Sequence, residues 1–163
     1  MAREFRYFAA VTRAELLTDL ARYHDSLDEW DIAMQLAPDG FGDLTSMQRT
    51  RTQALSGDTI QATQQADEIL SRQPSGKKSS RHIVSGAART FAIAATVSGL
   101  IAASQDEVVQ GEHYARRSVE LLEQYCRSGA GPDEFISSCD DFDCLRNRSD
   151  FQAATQPSAS PAQ

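Results

Sequence analysis

A cysteine beside a histidine can work as an activated nucleophile, and Cys126 with His113 is the first pair in this chain to weigh for that chemistry. Both residues fall on one predicted helix and stand thirteen positions apart, which corresponds to about 20 Å at the α-helical rise. They therefore cannot touch each other within one chain. A free cysteine also packs like a small hydrophobic residue, so we interpret Cys126 as part of the core and keep a small cysteine hydrolase as an alternative function.

Two further cysteines, Cys139 and Cys144, lie in an acidic stretch that could loosely suggest a metal site. The neighbouring carboxylates belong to Asp140, Asp141 and Asp143. A structural zinc site normally needs four well-placed ligands, and no second cysteine or histidine pair follows this one. The favoured interpretation is two packed thiols beside surface acids, with a disulfide under oxidation as the alternative. We predict no metal and no cofactor.

The elements that must position these side chains are predicted to be helices. Residues 12–15, Thr-Arg-Ala-Glu, have the pattern of a capping box and predict a helix that starts there and runs to about Tyr23. A second, short helix carries Trp30 and ends before Pro38. A third helix covers about 42–56.

Asp58 and Gln61 then provide the cap of a fourth helix, which Pro74 closes. The stretch 75–80, Ser-Gly-Lys-Lys-Ser-Ser, is polar and without periodicity, so it predicts a loop that divides the chain into two lobes. Its two lysines lack the glycine spacing of a phosphate-binding loop, and we interpret them as solvated.

The second lobe begins at about Arg81 with an apolar stripe wider than one exposed face needs, which predicts the central and most buried helix. Residues 104–107, Ser-Gln-Asp-Glu, form another capping box ahead of a long helix. A short helix is predicted near Pro132 and a last turn from Ser149. Beyond Ala154 the chain has too little apolar surface to offset the entropy of ordering it, so we expect a disordered tail.

Composition and charge argue against nucleic-acid binding, export and membrane association. A length of 163 residues fits one domain, and the formal net charge of −7 gives no attraction for nucleic-acid phosphates. Three sparse cysteines favour a reducing cytoplasm. Arg3 and Arg6 interrupt the apolar start, so no signal peptide is predicted. The most apolar stretch, 91–103, is shorter than the ~20 residues of a membrane span, which predicts a core helix and no membrane association.

Small residues recur with a repeat-like spacing around the fourth helix. Gly57, Ala62, Ala66, Ile69 and Pro74 match the second half of a tetratricopeptide repeat, in which a glycine makes the turn, small residues allow close helix packing and a proline closes the unit. The chain therefore resembles tetratricopeptide-repeat proteins, and the resemblance implies stacked helical hairpins that bind another protein.

The third helix departs from that repeat, because its apolar stripe includes Leu44, Met47 and Leu55 at positions that normally line the concave binding groove. Either another helix fills this groove or the groove accepts an apolar ligand. Arg51 occupies a groove position in the same register, and a guanidinium there can clamp a partner carboxylate with paired hydrogen bonds. The predicted partner-binding residues are Arg51, Met47, Leu44 and Leu55.

A second resemblance concerns the C-terminal half. Residues 114–122, Tyr-Ala-Arg-Arg-Ser-Val-Glu-Leu-Leu, and residues 141–151, Asp-Phe-Asp-Cys-Leu-Arg-Asn-Arg-Ser-Asp-Phe, are similar to the ending of bacterial proteins that join a Hanks-type serine/threonine kinase to tetratricopeptide repeats. The similarity covers about 45–152, with Cys144 in place of the usual proline and Ser118 in place of the usual alanine. It implies a non-catalytic tail region, since the His-Arg-Asp, Asp-Phe-Gly and glycine-rich kinase motifs are absent.

The resulting prediction is an all-α protein of antiparallel helical hairpins, tetratricopeptide-repeat-like, with a helical C-terminal cap. The domain covers 1–153, divided into hairpins at 1–74 and a hairpin with cap at 81–153, and 154–163 forms a disordered tail. We predict a cytoplasmic, non-catalytic scaffold module that binds a protein or peptide segment, with no nucleic acid and no membrane. A homodimer that buries Leu44, Met47 and Leu55 is the third alternative.

Overall fold

The computed structural model describes residues 2–73, 78–101, 104–130 and 134–155, and every regular element in these ranges is helical. A π-helical turn (Cys126–Ala130) continues the sixth helix, and a 3₁₀ helix (Asp140–Leu145) precedes the last one. The α-helices are α1 (Ala2–Asp19), α2 (Tyr23–Leu36), α3 (Gly42–Leu55), α4 (Thr59–Ser71), α5 (Lys78–Ile101), α6 (Gln105–Tyr125), α7 (Glu134–Ser138) and α8 (Ser149–Thr155). The predicted all-α class is confirmed.

Consecutive helices pack as hairpins, α1 with α2, α3 with α4 and α5 with α6. The first two hairpins turn at single residues in the left-handed region, Ala21 at φ 56° and Gly57 at φ 101°. Glycine at position 57 fits this conformation without the steric cost of a Cβ atom. Because α5 packs against α3 and α4 as well as α6, it joins the second and third hairpins.

The predicted caps at two helix starts are confirmed. The Asp58 carboxylate accepts a hydrogen bond from the Gln61 backbone N–H at the start of α4. At the start of α6, the Ser104 hydroxyl accepts from the Glu107 N–H while the Glu107 carboxylate accepts from the Ser104 N–H. Each cap satisfies backbone donors that the first helical turn leaves unpaired, so local sequence alone fixes these two boundaries.

Two predicted helix starts are wrong. The first helix begins at Ala2, and Thr12 lies in its interior, because Tyr7, Ala10 and Ala14 form a buried face that continues through the proposed cap. Residues 78–80 belong to α5, whereas the sequence pattern predicts a loop over 75–80. Once a helix is nucleated, adding a polar turn beyond its buried stripe costs little.

The main core surrounds α5, as predicted. Phe91, Ala92 and Ala94 are at most 1% exposed and pack against residues from α3, α4, α6 and the C-terminal elements. By length and composition, the 20-residue window Arg81–Leu100 could cross a membrane, with a mean hydropathy of 1.4. Since 67% of that window is buried within the protein, its apolar side chains form part of the core.

Hydroxyl groups join the first three helices in place of bulky apolar side chains. The Thr18 hydroxyl on α1 lies 2.8 Å from that of Ser26 on α2 and 3.0 Å from that of Thr52 on α3, and the Trp30 indole N–H donates to Thr52 at 3.0 Å. The Tyr7 hydroxyl meets that of Thr45 at 2.9 Å. Buried hydroxyls that bond to one another avoid the cost of unsatisfied polar groups and let these helices approach closely.

The C-terminal elements cover the end of the main core. The 3₁₀ helix packs on α5 and contributes Phe142 and Leu145, which are 0% and 1% exposed, while α8 packs on α6 and contributes Phe151. This region corresponds to the predicted helical cap, with α8 extending to Thr155, two residues into the proposed tail. Pro74, Pro132, residues 75–77 of the predicted loop and residues 156–163 of the predicted tail lie outside the described ranges.

Candidate functional site: a polar pocket between α1, α3 and α5

A polar pocket of about 250 Å³ opens between the first helices of the three hairpins, with one contribution from α2. Its lining is rich in side chains that can donate or accept hydrogen bonds. The residues are Glu15, Thr18, Asp19, Trp30, Gln48, Arg51, Thr52 and Arg89. Arg51 therefore lies at a concave position, although the structure also gives it a partner within the chain.

Arg51 and Arg89 both bind the carboxylate of Asp141, which the 3₁₀ helix presents between α3 and α5. Arg51 Nε lies 2.9 Å from Asp141 Oδ2, and Arg51 Nη2 lies 3.0 Å from Oδ1, so this pair is bidentate. Arg89 Nε donates to Oδ2 at 2.6 Å. The side chains are 23%, 21% and 10% exposed for Arg51, Arg89 and Asp141 respectively. Paired charge-assisted hydrogen bonds of this kind are the strong ones in proteins.

The electrostatics of this cluster favour the ionised aspartate. Burial alone would raise the pKa of Asp141, but the hydrogen bonds and positive charges of Arg51 and Arg89 outweigh that effect and hold the pKa below its usual value. Burial raises the pKa of the neighbouring Cys139 thiol, whose sulfur lies 3.7 Å from Asp141 Oδ2. The cluster is a fixed ion-pair group that ties the C-terminal cap to α3 and α5.

The other predicted contact residues pack against the core. Met47 is 1% exposed and packs in the main core beneath α5, so its side chain is enclosed within the protein. Leu44 is half-buried against the same core, and Leu55 is half-buried against Ala54, Ala62 and Ile93. The sequence left two alternatives for this apolar stripe, a groove filled by another helix or a groove open to a ligand. In the structure α5 packs against the stripe on α3, which corresponds to the first alternative. A homodimer through Leu44, Met47 and Leu55 would first have to uncover this core.

Arg51 is the one residue of this pocket that the sequence predicts as a contact residue; Glu15, Asp19 and Gln48 are among those it misses. Glu15 and Asp19 stand one turn apart on α1 and are exposed, and Gln48 on α3 is half-buried. The repeat register draws attention to α3, whereas the capping-box pattern at Thr12 places Glu15 in a helix cap. No local pattern identifies Arg89 as a pocket residue. Nor does any local pattern pair Asp141 with Arg89 and Arg51, which lie 52 and 90 positions earlier in the chain.

A second pocket, of about 390 Å³, lies on another side of α3, where it meets α2 and α4. Several charged groups around it already form pairs, with Arg49 Nε 2.7 Å from Asp31 Oδ1 and Arg72 Nη1 4.0 Å from Asp43 Oδ1. It does not include any of the predicted partner-binding residues.

The three cysteines are free thiols, so the disulfide alternative for Cys139 and Cys144 does not describe this structure. Cys126 is half-buried beside the main core, and the Cys144 sulfur lies 3.5 Å from the Ala92 carbonyl oxygen. Within the part of the chain that the structure describes, no group of three histidine, cysteine or acidic residues is placed to hold a metal ion.

Fold and pocket together define an all-helical protein of packed hairpins with a polar cleft. A scan against protein-family models, a search of curated proteins and a search of solved structures each found no match for this chain.

Proposed function

We propose that this chain is a non-catalytic protein-binding module of tetratricopeptide-repeat type that holds a segment of another protein in the pocket between α1, α3 and α5. The hairpin order supports this proposal, because α5 packs on both helices of the preceding hairpin, as successive units do in a helical repeat. The observation that carries it is the convergence of polar side chains from α1, α3 and α5 on one concave site.

The chemistry of the pocket suits an extended peptide with a basic side chain. The Gln48 amide can both donate to and accept from a peptide backbone. Glu15 and Asp19 present two carboxylates that accept from a lysine or arginine, in keeping with the net charge of −7. Arg51 and Arg89 form a rigid wall, because Asp141 holds both guanidinium groups in place.

The similarity of residues 141–151 to kinase-associated repeat tails supports a setting for this module. We infer a bacterial, cytoplasmic scaffold that works beside a serine/threonine kinase. On this proposal the protein positions a partner for the kinase and contributes no catalytic group of its own.

A display library of random peptides, panned against the purified protein, tests the proposal. We expect enriched peptides with a basic residue, and we expect Asp19→Lys to weaken the binding of a selected peptide at least tenfold in isothermal titration calorimetry, or about 1.4 kcal/mol. Asp19 is exposed, so the substitution leaves the core intact.

Asp28→Lys is the matched control, because it makes the same charge change at an exposed position on α2 outside this pocket. Equal loss of affinity in both variants would mean that overall charge, not the pocket, governs binding. Arg51→Glu is a poor choice of variant, since it would break the pair with Asp141 and loosen the cap. Failure to enrich any peptide would count against the binding-module proposal.

A further inference from the structure

The outer face of α1 is apolar, although its inner face already packs in the protein. Phe5, Phe8, Leu16 and Leu20 are 78%, 56%, 57% and 67% exposed. The Leu20 N–H donates to the Leu16 carbonyl at 3.1 Å, so Leu20 continues the helical path beyond Asp19. With 3.6 residues per turn, these four side chains and exposed Thr12 share one side of the helix, opposite its buried face.

The spacing of the residues in this outer stripe is nearly the same when α1 is followed from either end. Thr12 lies at its centre, Phe8 and Leu16 lie four positions to either side, and Phe5 and Leu20 lie further out by similar amounts. A two-fold interface requires such self-complementarity, since residue i of one copy must meet residue j of the other and the reverse. Two antiparallel α1 helices would place Phe8 against Leu16 and Phe5 against Leu20 in both copies, with the smaller threonines at the axis.

The area and charge of this face suit a second copy of the chain. If a buried phenylalanine contributes roughly 200 Å², the four exposed side chains offer on the order of 500 Å² per copy, and two copies reach the ~1,000 Å² expected of a specific interface. In α1, three arginines balance three acidic residues, whereas the whole chain carries −7. The α1 helices of two copies therefore carry no net charge and do not repel each other when they meet.

We propose that the chain forms a two-fold symmetric homodimer through the outer face of α1, with the two helices antiparallel about Thr12. This surface is distinct from the stripe of Leu44, Met47 and Leu55, which is packed within the chain. The pocket residues Glu15 and Asp19 border this stripe, because each directly precedes one of its leucines, Leu16 and Leu20, on α1. Dimerisation would present two pockets on one assembly.

Sedimentation equilibrium of the full chain over a range of concentrations tests the dimer. We expect a reversible monomer–dimer equilibrium for the wild type and at least a tenfold higher dissociation constant for Phe8→Glu. Ile60→Glu is the matched control, because Ile60 on α4 is 62% exposed but lies on another helix. A wild-type chain that stays monomeric at high concentration would overturn the proposal, as would equal weakening by the two substitutions.

Mixing two variants tests the antiparallel register. Phe8→Lys and Leu16→Glu should each weaken self-association. An equimolar mixture should recover it, because the introduced lysine of one copy then faces the introduced glutamate of the other, while the unchanged Leu16 faces the unchanged Phe8. In a parallel arrangement position 8 would meet position 8, and mixing would restore nothing, which would refute the stated geometry. Circular dichroism of each variant checks that these exposed substitutions leave the helical fold intact.

Discussion

Asp141 is held by two arginines that come from different helices, and its side chain is 10% exposed. A carboxylate placed in this way contributes to stability only while its partners and its charge are present. Removing one member of a buried ion pair leaves the other charges uncompensated, which costs more than losing a surface pair. A single substitution at Asp141 therefore tests whether Arg51 has a structural role in this cluster or is available to bind a partner.

Replacing Asp141 by asparagine should lower the free energy of unfolding by about 2 kcal/mol at pH 7, between the values typical of surface and of fully buried ion pairs. Because the folded-state pKa of Asp141 lies below the value of ~3.9 expected in the unfolded chain, the ionised group stabilises the fold above that pH. The difference between wild type and Asp141→Asn should then shrink as the pH falls below about 4. Urea unfolding followed by circular dichroism at several pH values measures both effects.

Asp140→Asn provides the comparison for this experiment, since Asp140 is the adjacent residue and is exposed. It should change the free energy of unfolding by less than about 0.5 kcal/mol, the usual range for a surface substitution. If Asp141→Asn and Asp140→Asn behaved alike, the arginines would not be holding the cap, and Arg51 would again be available as a contact residue.

At the scale of elements, α3 and α5 approach each other closely at Gly86. A Cβ atom added at Gly86 on α5 would lie 2.6 Å from Cγ of Met47, whose side chain is 1% exposed and enclosed by the core. A residue with a Cβ atom at position 86 would therefore force the Met47 side chain or one of the two helices to shift. The same contact explains why the apolar stripe of α3 forms no open groove.

Gly86→Ala should destabilise the protein by about 1 kcal/mol, because the overlap with Met47 outweighs the gain in helix propensity of roughly 1 kcal/mol. Gly99→Ala on the same helix has open space around its added methyl group and should be neutral or stabilising. Thermal and urea unfolding of both variants measure the contrast. In a Met47→Ala background the Gly86→Ala penalty should disappear, and its persistence there would exclude the contact with Met47 as the cause.

The whole molecule depends on its C-terminal elements, because Phe142, Leu145 and Phe151 complete the core around α5. A chain that ends after Ser138 loses all three and should unfold at a markedly lower temperature or lack a cooperative transition. A chain that ends after Thr155 keeps Phe142, Leu145 and Phe151 and should melt like the full-length protein. Differential scanning calorimetry compares the three chains, and a stable, cooperative chain ending at Ser138 would contradict this account of the cap.

Several features followed from the sequence by itself. The all-α class, the turn at Gly57, the caps at Asp58 and Ser104 and the central position of α5 rest on interactions within a few residues or on periodicity along one helix. Arg51 was singled out by the repeat register, and it lines the polar pocket. Such features are local, so the identity of a residue and of its near neighbours is enough to predict them.

Tertiary packing decided the rest. The start of α1 at Ala2 depends on a buried face shared with α2, which outweighs the capping pattern at Thr12. Met47 is buried because α5 lies over it, and Arg51 is engaged because the chain returns, 90 positions later, with Asp141. Side chains this far apart in sequence meet only after three hairpins have stacked. Local propensity and spacing therefore predicted the helices, while their packing determined which side chains form the core, the ion-pair cluster and the pocket.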